Sequence, residues 1–361
     1  MSDEAFIKKT LKLAQKGSGY VSPNPVVGAI IVKNGEIIST GYHKKFGAIH
    51  AEVAAIKNAG TNCKNSTLYV NLEPCSHHGK QPPCTDEIIR AGIKRVVVGT
   101  LDRNPQINGN GIKVLQKNGI EVITGVLEKE CILINEVFFK YITTNLPFIT
   151  LKIAQTIDGK IATDLGKSKW ITSEKSRKYV HKLRNQSDAV LTGIGTVLTD
   201  DPQLDVRYIK GRTPFRVILD SNLRIPLNAK LLNDEHVNKT ILVTNLKTPD
   251  EICNRIEQKG AAVVKIPKQG DFIDLNLLCK WLGNRGFASV LVEGGSKVFS
   301  SFLKLKLADR ISLFIAPKLL GSGIPAIEKL DISDINNCIR LNCDRIKKIE
   351  QDIFITGRVV Y

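Results

Sequence analysis

His50-Ala51-Glu52, followed by Leu72-Glu73-Pro74-Cys75-Ser76-His77-His78-Gly79-Lys80-Gln81-Pro82-Pro83-Cys84, puts an imidazole, a carboxylate and two thiols at the starts of two predicted helices. Zinc takes imidazole and thiolate ligands tetrahedrally, and a catalytic site keeps three protein ligands and one water. His50, Cys75 and Cys84 fit that count. Helix N-termini also favour thiolates, because their free N–H groups and dipole stabilise negative charge. In mid-helix, residues i and i+2 point about 200° apart, so His50 and Glu52 share a site only at a helix mouth. The Gly47-Ala48-Ile49 loop ahead of them permits one. A closed structural zinc, with His43, His77 or His78 as fourth ligand, would leave Glu52 idle. A hydrolytic site uses it, because a carboxylate takes a proton from metal-activated water and returns it to the leaving group.

Outward from these motifs, apolar spacing predicts an alternation of helices and strands. Helix 3–16 precedes strands 26–32 and 37–39, which flank the hairpin signal Asn34-Gly35. Helix 51–59, strand 67–72, helix 85–91, strand 95–99, helix 111–118 and strand 120–124 follow. The rhythm restarts near Asn145-Leu146-Pro147. Strands are expected at 148–154, 188–192, 215–219, 240–244, 261–266, 289–293 and 311–316. Helices fall at 174–185, 249–259, 274–283 and 296–304, and Ile353–Tyr361 closes the chain. Two α/β domains, 1–146 and 147–361, are expected, each a sheet covered on both faces.

The bulk composition excludes several classes. The chain has 361 residues, 42% hydrophobic and 24% charged, which is globular rather than disordered or fibrous. No apolar run reaches the ~18 residues of a membrane helix, and the acidic start is unlike a secretory signal. A cytoplasmic protein is expected, and its eight cysteines should stay reduced. The net charge of +17 would suit a polynucleotide or an anionic small substrate. The lysines are scattered and aromatics are only 6%, whereas single-strand binding needs aromatic platforms among basic residues. The charge is therefore read as dispersed surface lysine.

A second motif lies in Val290-Leu291-Val292-Glu293-Gly294-Gly295-Ser296, an apolar strand running through glycines into a helix. Such a junction presents free N–H groups to a phosphate, or is a tight turn only. It is not the G-x-G-x-x-G fingerprint, so a conventional Rossmann fold is excluded.

H-x-E followed by P-C and a further Cys resembles the zinc nucleoside and nucleobase deaminases. The ten-residue run from Cys75 to Cys84 departs from their usual P-C-x-x-C. With Pro23-Asn24-Pro25-Val26-Val27-Gly28 and Gly41-Tyr42-His43, it resembles the deaminase half of the RibD family of riboflavin biosynthesis. The second half is similar to the reductase of that family in Leu151-Lys152-Ile153-Ala154-Gln155-Thr156-Ile157-Asp158-Gly159-Lys160-Ile161-Ala162. Trp170-Ile171-Thr172-Ser173, Leu183-Arg184, Gly193 to Thr196, Thr199 to Leu204, Leu219-Asp220-Ser221 and Ala316 to Gly321 match it too.

The resemblance implies a cytidine-deaminase-like three-layer α/β/α domain followed by a dihydrofolate-reductase-like α/β domain. His50, Cys75 and Cys84 would hold one zinc, with Glu52 as proton shuttle. Asn24, His43, His77 and Lys80 would line the deaminase pocket. Ala154, Trp170, Thr196, Asp200, Ser221 and the loop Gly294, Gly295, Ser296, Lys297, Val298, Phe299, Ser300 and Ser301 would contact NADPH. Lys152, Ser168, Thr172, Arg184, Leu204, Arg207 and Glu293 would contact the ribosyl phosphate. Arg184 and Arg207 suit a phosphate because a guanidinium fork matches it bidentately; Lys152 and Asp200 both stand as proton donors. The implied function is zinc-dependent deamination of 2,5-diamino-6-ribosylamino-4(3H)-pyrimidinone 5′-phosphate, then NADPH-dependent reduction of its ribosyl side chain. Small phosphorylated pyrimidines and a second copy of the chain (dimer or tetramer) are the expected partners, with no nucleic acid and no membrane. The alternative is a nucleic-acid deaminase of the tRNA type with a basic accessory domain.

Overall fold

The computed structural model describes residues 1–77, 82–105, 107–328 and 330–361, and divides at Leu146/Pro147 into two units. The first runs α1 (Asp3–Ala14), β1 (Gly28–Lys33), β2 (Glu36–Tyr42), α2 (Ala51–Ala59), β3 (Thr67–Leu72), α3 (Cys84–Arg90) and β4 (Arg95–Thr100). It continues through α4 (Asn110–Lys117), β5 (Glu121–Ile123), α5 (Glu128–Ile134) and α6 (Glu136–Thr144). The sheet order is β2-β1-β3-β4-β5, with β1 antiparallel to both neighbours and β3, β4 and β5 parallel.

Period-2 alternation makes the three layers. Ala29, Ile31, Leu68, Val70, Val96 and Val98 face one core with Ala51 and Ala55 of α2 and Ile88 of α3. Ile30, Val32, Tyr69 and Val97 face the other, with Phe6 and Ile7 of α1. Asn34 and Gly35 have φ of 51° and 81° between the paired Lys33 and Glu36, as a two-residue type I′ hairpin demands.

The second unit begins with β6 (Phe148–Thr156), β7 (Lys160–Ala162), α7 (Glu174–Gln186), β8 (Ala189–Gly193), α8 (Ile194–Asp200), β9 (Phe215–Leu219) and β10 (Thr240–Thr244). Then come α9 (Asp250–Glu257), β11 (Ala262–Lys265), β12 (Lys268–Gln269), β13 (Phe272–Ile273), α10 (Leu275–Asn284), β14 (Ser289–Val292) and α11 (Ser296–Lys304). It ends with β15 (Arg310–Ala316), β16 (Ile324–Pro325), β17 (Arg340–Ile349) and β18 (Asp352–Val360). Nine strands form one sheet, β11-β10-β9-β8-β14-β6-β15-β18-β17, parallel as far as β15 and antiparallel beyond. The carboxyl ends of β8, β9 and β14 therefore open on one edge, where α/β sheets bind ligands. Among the described residues no helix is long and apolar enough to cross a membrane.

Helices α5, α6 and α8 and strands β7, β12, β13, β16 and β17 lie outside the elements expected from the sequence. Helices α5 and α6 fill 128–144, where none was expected; each is short, and Asn135 interrupts them. That break has a use: the Asn135 amide accepts from Val26 N at 2.9 Å and donates to Val26 O at 3.1 Å. Strand β17 was missed because it is the exposed sheet edge, with Arg340, Arg345, Lys347 and Lys348 in place of alternation, a charged edge of the kind that blocks further pairing.

One glycine fixes the height of α2, and so of His50. A Cβ on Gly41 would lie 2.2 Å from Ala51 O and 2.6 Å from Ala55 N. Gly41→Ala should cost about 1–3 kcal/mol of stability through overpacking, read as a lower denaturation midpoint, and should weaken metal retention with it. A variant as stable as the parent would show that α2 can move away freely.

Candidate active sites

His50 is the N-cap of α2, with extended backbone (φ −70°, ψ 161°). It is therefore outside the helical spiral, and its ring can share a site with Glu52 in the first turn. Cys84 opens α3, and its backbone N–H donates to the Cys75 sulfur at 3.4 Å. His50 Nδ1 lies 3.1 Å from Cys84 Sγ and 3.5 Å from Cys75 Sγ. All three ligand atoms are within 4.8 Å of one another. Bond lengths of about 2.0 Å (Zn–N) and 2.3 Å (Zn–S) put tetrahedral ligand atoms roughly 3.5–3.8 Å apart, so these residues fit zinc.

Protons are shared unevenly here. Hydrogen bonds from Cys84 and His50 hold the Cys75 thiol down to about 4 against the effect of burial. The hydrogen bond to Cys75, with burial opposing it, lifts His50 to about 9. Glu52 is buried, at 3% exposure, and burial pushes its carboxyl up to about 6.

The pocket residues sort themselves less evenly. His43 is buried; its Nδ1 pairs with Ile49 O at 3.1 Å and its Nε2 with Asn24 Nδ2 at 3.4 Å. With both nitrogens engaged it is no fourth ligand; instead it orients Asn24. Asn71, which the sequence reading passed over, holds the same loop: its amide accepts from Gly28 N at 2.8 Å and donates to Val26 O at 3.0 Å. Glu73 is also buried and accepts from the backbone N–H groups of Asp102, Gly109 and Gly111 at 2.9–3.1 Å, which anchors that loop beside Pro74. His77 is exposed and lies outside the metal cluster. Lys80 and His78 fall outside the described residues.

In the second unit a cleft of about 1290 Å³ opens at the carboxyl ends of the parallel strands. Every residue expected to touch cofactor or ribosyl phosphate lines it: Lys152, Ala154, Ser168, Trp170, Thr172, Arg184, Thr196, Asp200, Leu204, Arg207, Ser221, Glu293 and Gly294 through Ser301. Two helix mouths meet there, since a Cβ on Gly295, the N-cap of α11, would sit 3.9 Å from Thr196 Oγ1 in α8. Ser296 Oγ, in the first turn of α11, is buried with no partner. An unpaired buried hydroxyl beside free helix N–H groups fits a nucleotide phosphate.

At the other end, Arg184 Nε and Nη2 donate to the two Glu293 oxygens at 2.6 and 3.0 Å, and Lys152 Nζ pairs with Glu293 at 3.2 Å. Burial raises the Glu293 carboxyl, but Arg184 and Lys152 overcome it and hold the group down to about 2. The Arg184 fork expected for a phosphate is thus spent on a carboxylate. Arg207 is more exposed, ion-paired to Asp205 and over the Tyr208 ring. Ser168 Oγ donates to Asp200 at 3.1 Å. His181 also lines this corner; its spacing three residues ahead of Arg184 on α7 was the available sequence signal.

Three metal ligands and one acid at paired helix mouths leave the zinc-dependent hydrolytic deaminases as the class of the first unit, joined to a second unit with a nucleotide-sized cleft. The cytidine and deoxycytidylate deaminase zinc-binding region matches residues 1–100, and the RibD C-terminal domain matches residues 147–355. The riboflavin biosynthesis protein RibD of Aquifex aeolicus is 47% identical over 98% of this chain and 97% of its own. Acinetobacter baumannii RibD superposes with a TM-score of 0.88 at 34% identity, covering 99% of each chain. A diaminohydroxyphosphoribosylaminopyrimidine deaminase/5-amino-6-(5-phosphoribosylamino)uracil reductase of Thermotoga maritima does so at 0.86 and 40%, also covering 99% of each. The chain belongs to the RibD family, bifunctional enzymes of riboflavin biosynthesis that join a deaminase to a reductase. With both halves matched, the reading as a nucleic-acid deaminase with a basic accessory domain is not favoured.

Metal analysis of Cys84→Ser should show loss of stoichiometric zinc; unchanged content would reassign the ligands. Glu293 gives a pH prediction. Its folded carboxyl titrates near 2 rather than 4.5, so its stabilising charge is complete above about pH 4.5 and disappears as the pH falls towards 2. Glu293→Gln should unfold more easily at pH 7 and lack that part of the acid-side loss. An identical acid slope in both proteins would mean that the Lys152–Glu293–Arg184 contacts do not hold in solution.

Proposed function

We propose that the first unit removes the ring amino group of 2,5-diamino-6-ribosylamino-4(3H)-pyrimidinone 5′-phosphate and the second reduces the ribosyl side chain of the product, giving 5-amino-6-(5-phosphoribitylamino)uracil. A buried acid beside a three-ligand cluster carries the first half. Zinc held by His50, Cys75 and Cys84 would supply Lewis-acid activation of water when bound. Glu52 takes the proton so loosened and passes it to the departing amino nitrogen, so that ammonia leaves as the ring carbonyl forms. Asn24, oriented by His43, offers a donor and an acceptor to the pyrimidine edge. Lys80 and His77 serve the phosphoribosyl group.

The cleft of the second unit carries the other half. NADPH would supply the hydride when bound. Ala154, Trp170, Thr196, Asp200 and Ser221 hold it, and Gly294 to Ser301 receive its phosphates at the mouth of α11. Lys152, Ser168, Thr172, Leu204 and Arg207 contact the ribosyl phosphate, as do Arg184 and Glu293 on the sugar side, where they are paired with each other. Lys152 is the proton source for the ring oxygen of the opened sugar, because its ammonium is fixed by Glu293. Asp200 is engaged as the acceptor of Ser168.

The two steps can be followed separately, as ammonia released and NADPH consumed. Glu52→Gln should keep its zinc and lose deamination by ~10²–10⁴ or more, while the already deaminated intermediate is still reduced. Ammonia release near the parent rate would place the shuttle on another group. Salt-resistant, sequence-selective deamination of an oligonucleotide would overturn the riboflavin reading.

A further inference from the structure

His181 is a buried histidine, 3% exposed, that lines the reductase cleft and that the mechanism above leaves unused. It stands three residues before Arg184 on α7, so the two side chains share a helix face. Its Nδ1 accepts the backbone N–H of Arg207 at 3.2 Å. A ring nitrogen that accepts carries no proton, so the proton of the neutral ring sits on Nε2. Tyr208 packs against the ring with centroids 4.6 Å apart, which fixes its orientation. Burial first, then the charges of Arg184 and Arg207, hold the imidazole down to about 4. The ring is thus a neutral donor of fixed direction, in a corner where the Arg184 fork is committed to Glu293.

We propose that His181 is a further substrate-binding residue of the reductase, its Nε2–H donating to the phosphate monoester of the ribosyl phosphate beside Arg207. A neutral donor adds a directed hydrogen bond without burying another positive charge among Lys152, Arg184 and Arg207. The Arg207 backbone links the two: the N–H that sets the histidine tautomer belongs to the residue whose side chain meets the same phosphate. This inference rests on the reductase reading of the second unit.

The test uses the full chain and ribose 5-phosphate as probe. His181→Asn keeps an acceptor near the Nδ1 position for Arg207 N–H and removes the donor at Nε2. Calorimetry should show ribose 5-phosphate binding weakened roughly tenfold or more, as for a lost hydrogen bond to a charged group, with NADPH binding reporting that the cleft is folded. In the parent protein, nitrogen-15 histidine spectra should show His181 protonated at Nε2, with that resonance moving on addition of ribose 5-phosphate. This second measurement stands even where the variant fails to fold. Equal ribose 5-phosphate affinity in parent and variant, a ring protonated at Nδ1, or an unmoved Nε2 signal overturns the role of His181 alone. A parent protein that binds neither ribose 5-phosphate nor NADPH overturns the reductase reading, and this inference with it.

Discussion

The first N–H groups of an α-helix have no carbonyl within the helix to bond, and both sites are built on that shortage. At α3 the Cys84 N–H donates to the Cys75 sulfur and the Thr85 N–H to the Cys75 carbonyl. A thiolate so placed gains from the dipole as well as from the bond. At α2 the N-cap is His50 itself, and its extended backbone lets ligand and acid stand two residues apart and still face one point. At α11 the cap is Gly295, without a side chain, and the buried Ser296 hydroxyl beside it has no partner. One unit fills the shortage with sulfur; the other sets an unpartnered hydroxyl beside it.

Holding those mouths in place falls to residues that do no chemistry. Gly41 lets the first turn of α2 lie on β2. Asn71 and Asn135 clamp Val26 from a strand and a helix junction, and the clamp sets Asn24 two residues upstream. Glu73 gathers two N–H groups from the loop after β4 and one from the first turn of α4. Each polar group is buried and satisfied, so losing one would leave its partners without bonds at about 1–3 kcal/mol apiece.

What the sequence disclosed, and what it hid, follows from the range of each signal. The metal triad and Glu52 announce themselves because their chemistry is local, a motif at two helix starts, whereas the Gly294–Gly295 junction by itself left a phosphate cradle and a tight turn both open. Strands β1 and β3, buried on both faces, were legible as short apolar runs, and α11 from its periodicity. Strand β17 was not, since an exposed edge has no apolar face to alternate. The partner of the Arg184 fork was hidden, because no local pattern shows Glu293, 109 residues further on, meeting it. His181 offered only its spacing ahead of Arg184, since the backbone group that pairs with its Nδ1 lies on another segment.

Two buried glutamates show how far environment, rather than residue type, assigns work. Glu52 and Glu293 both lose their water. Glu52 is left with burial as the dominant effect, and its carboxyl rises to about 6. Glu293 meets Arg184 and Lys152 and falls to about 2. A carboxyl near neutrality can take a proton and return it within one turnover; one held near 2 keeps its charge and can only anchor cations. The deaminating unit needs such a carrier on the protein. In the second unit Glu293 is instead a fixed carboxylate that holds Lys152 and Arg184 in the cleft.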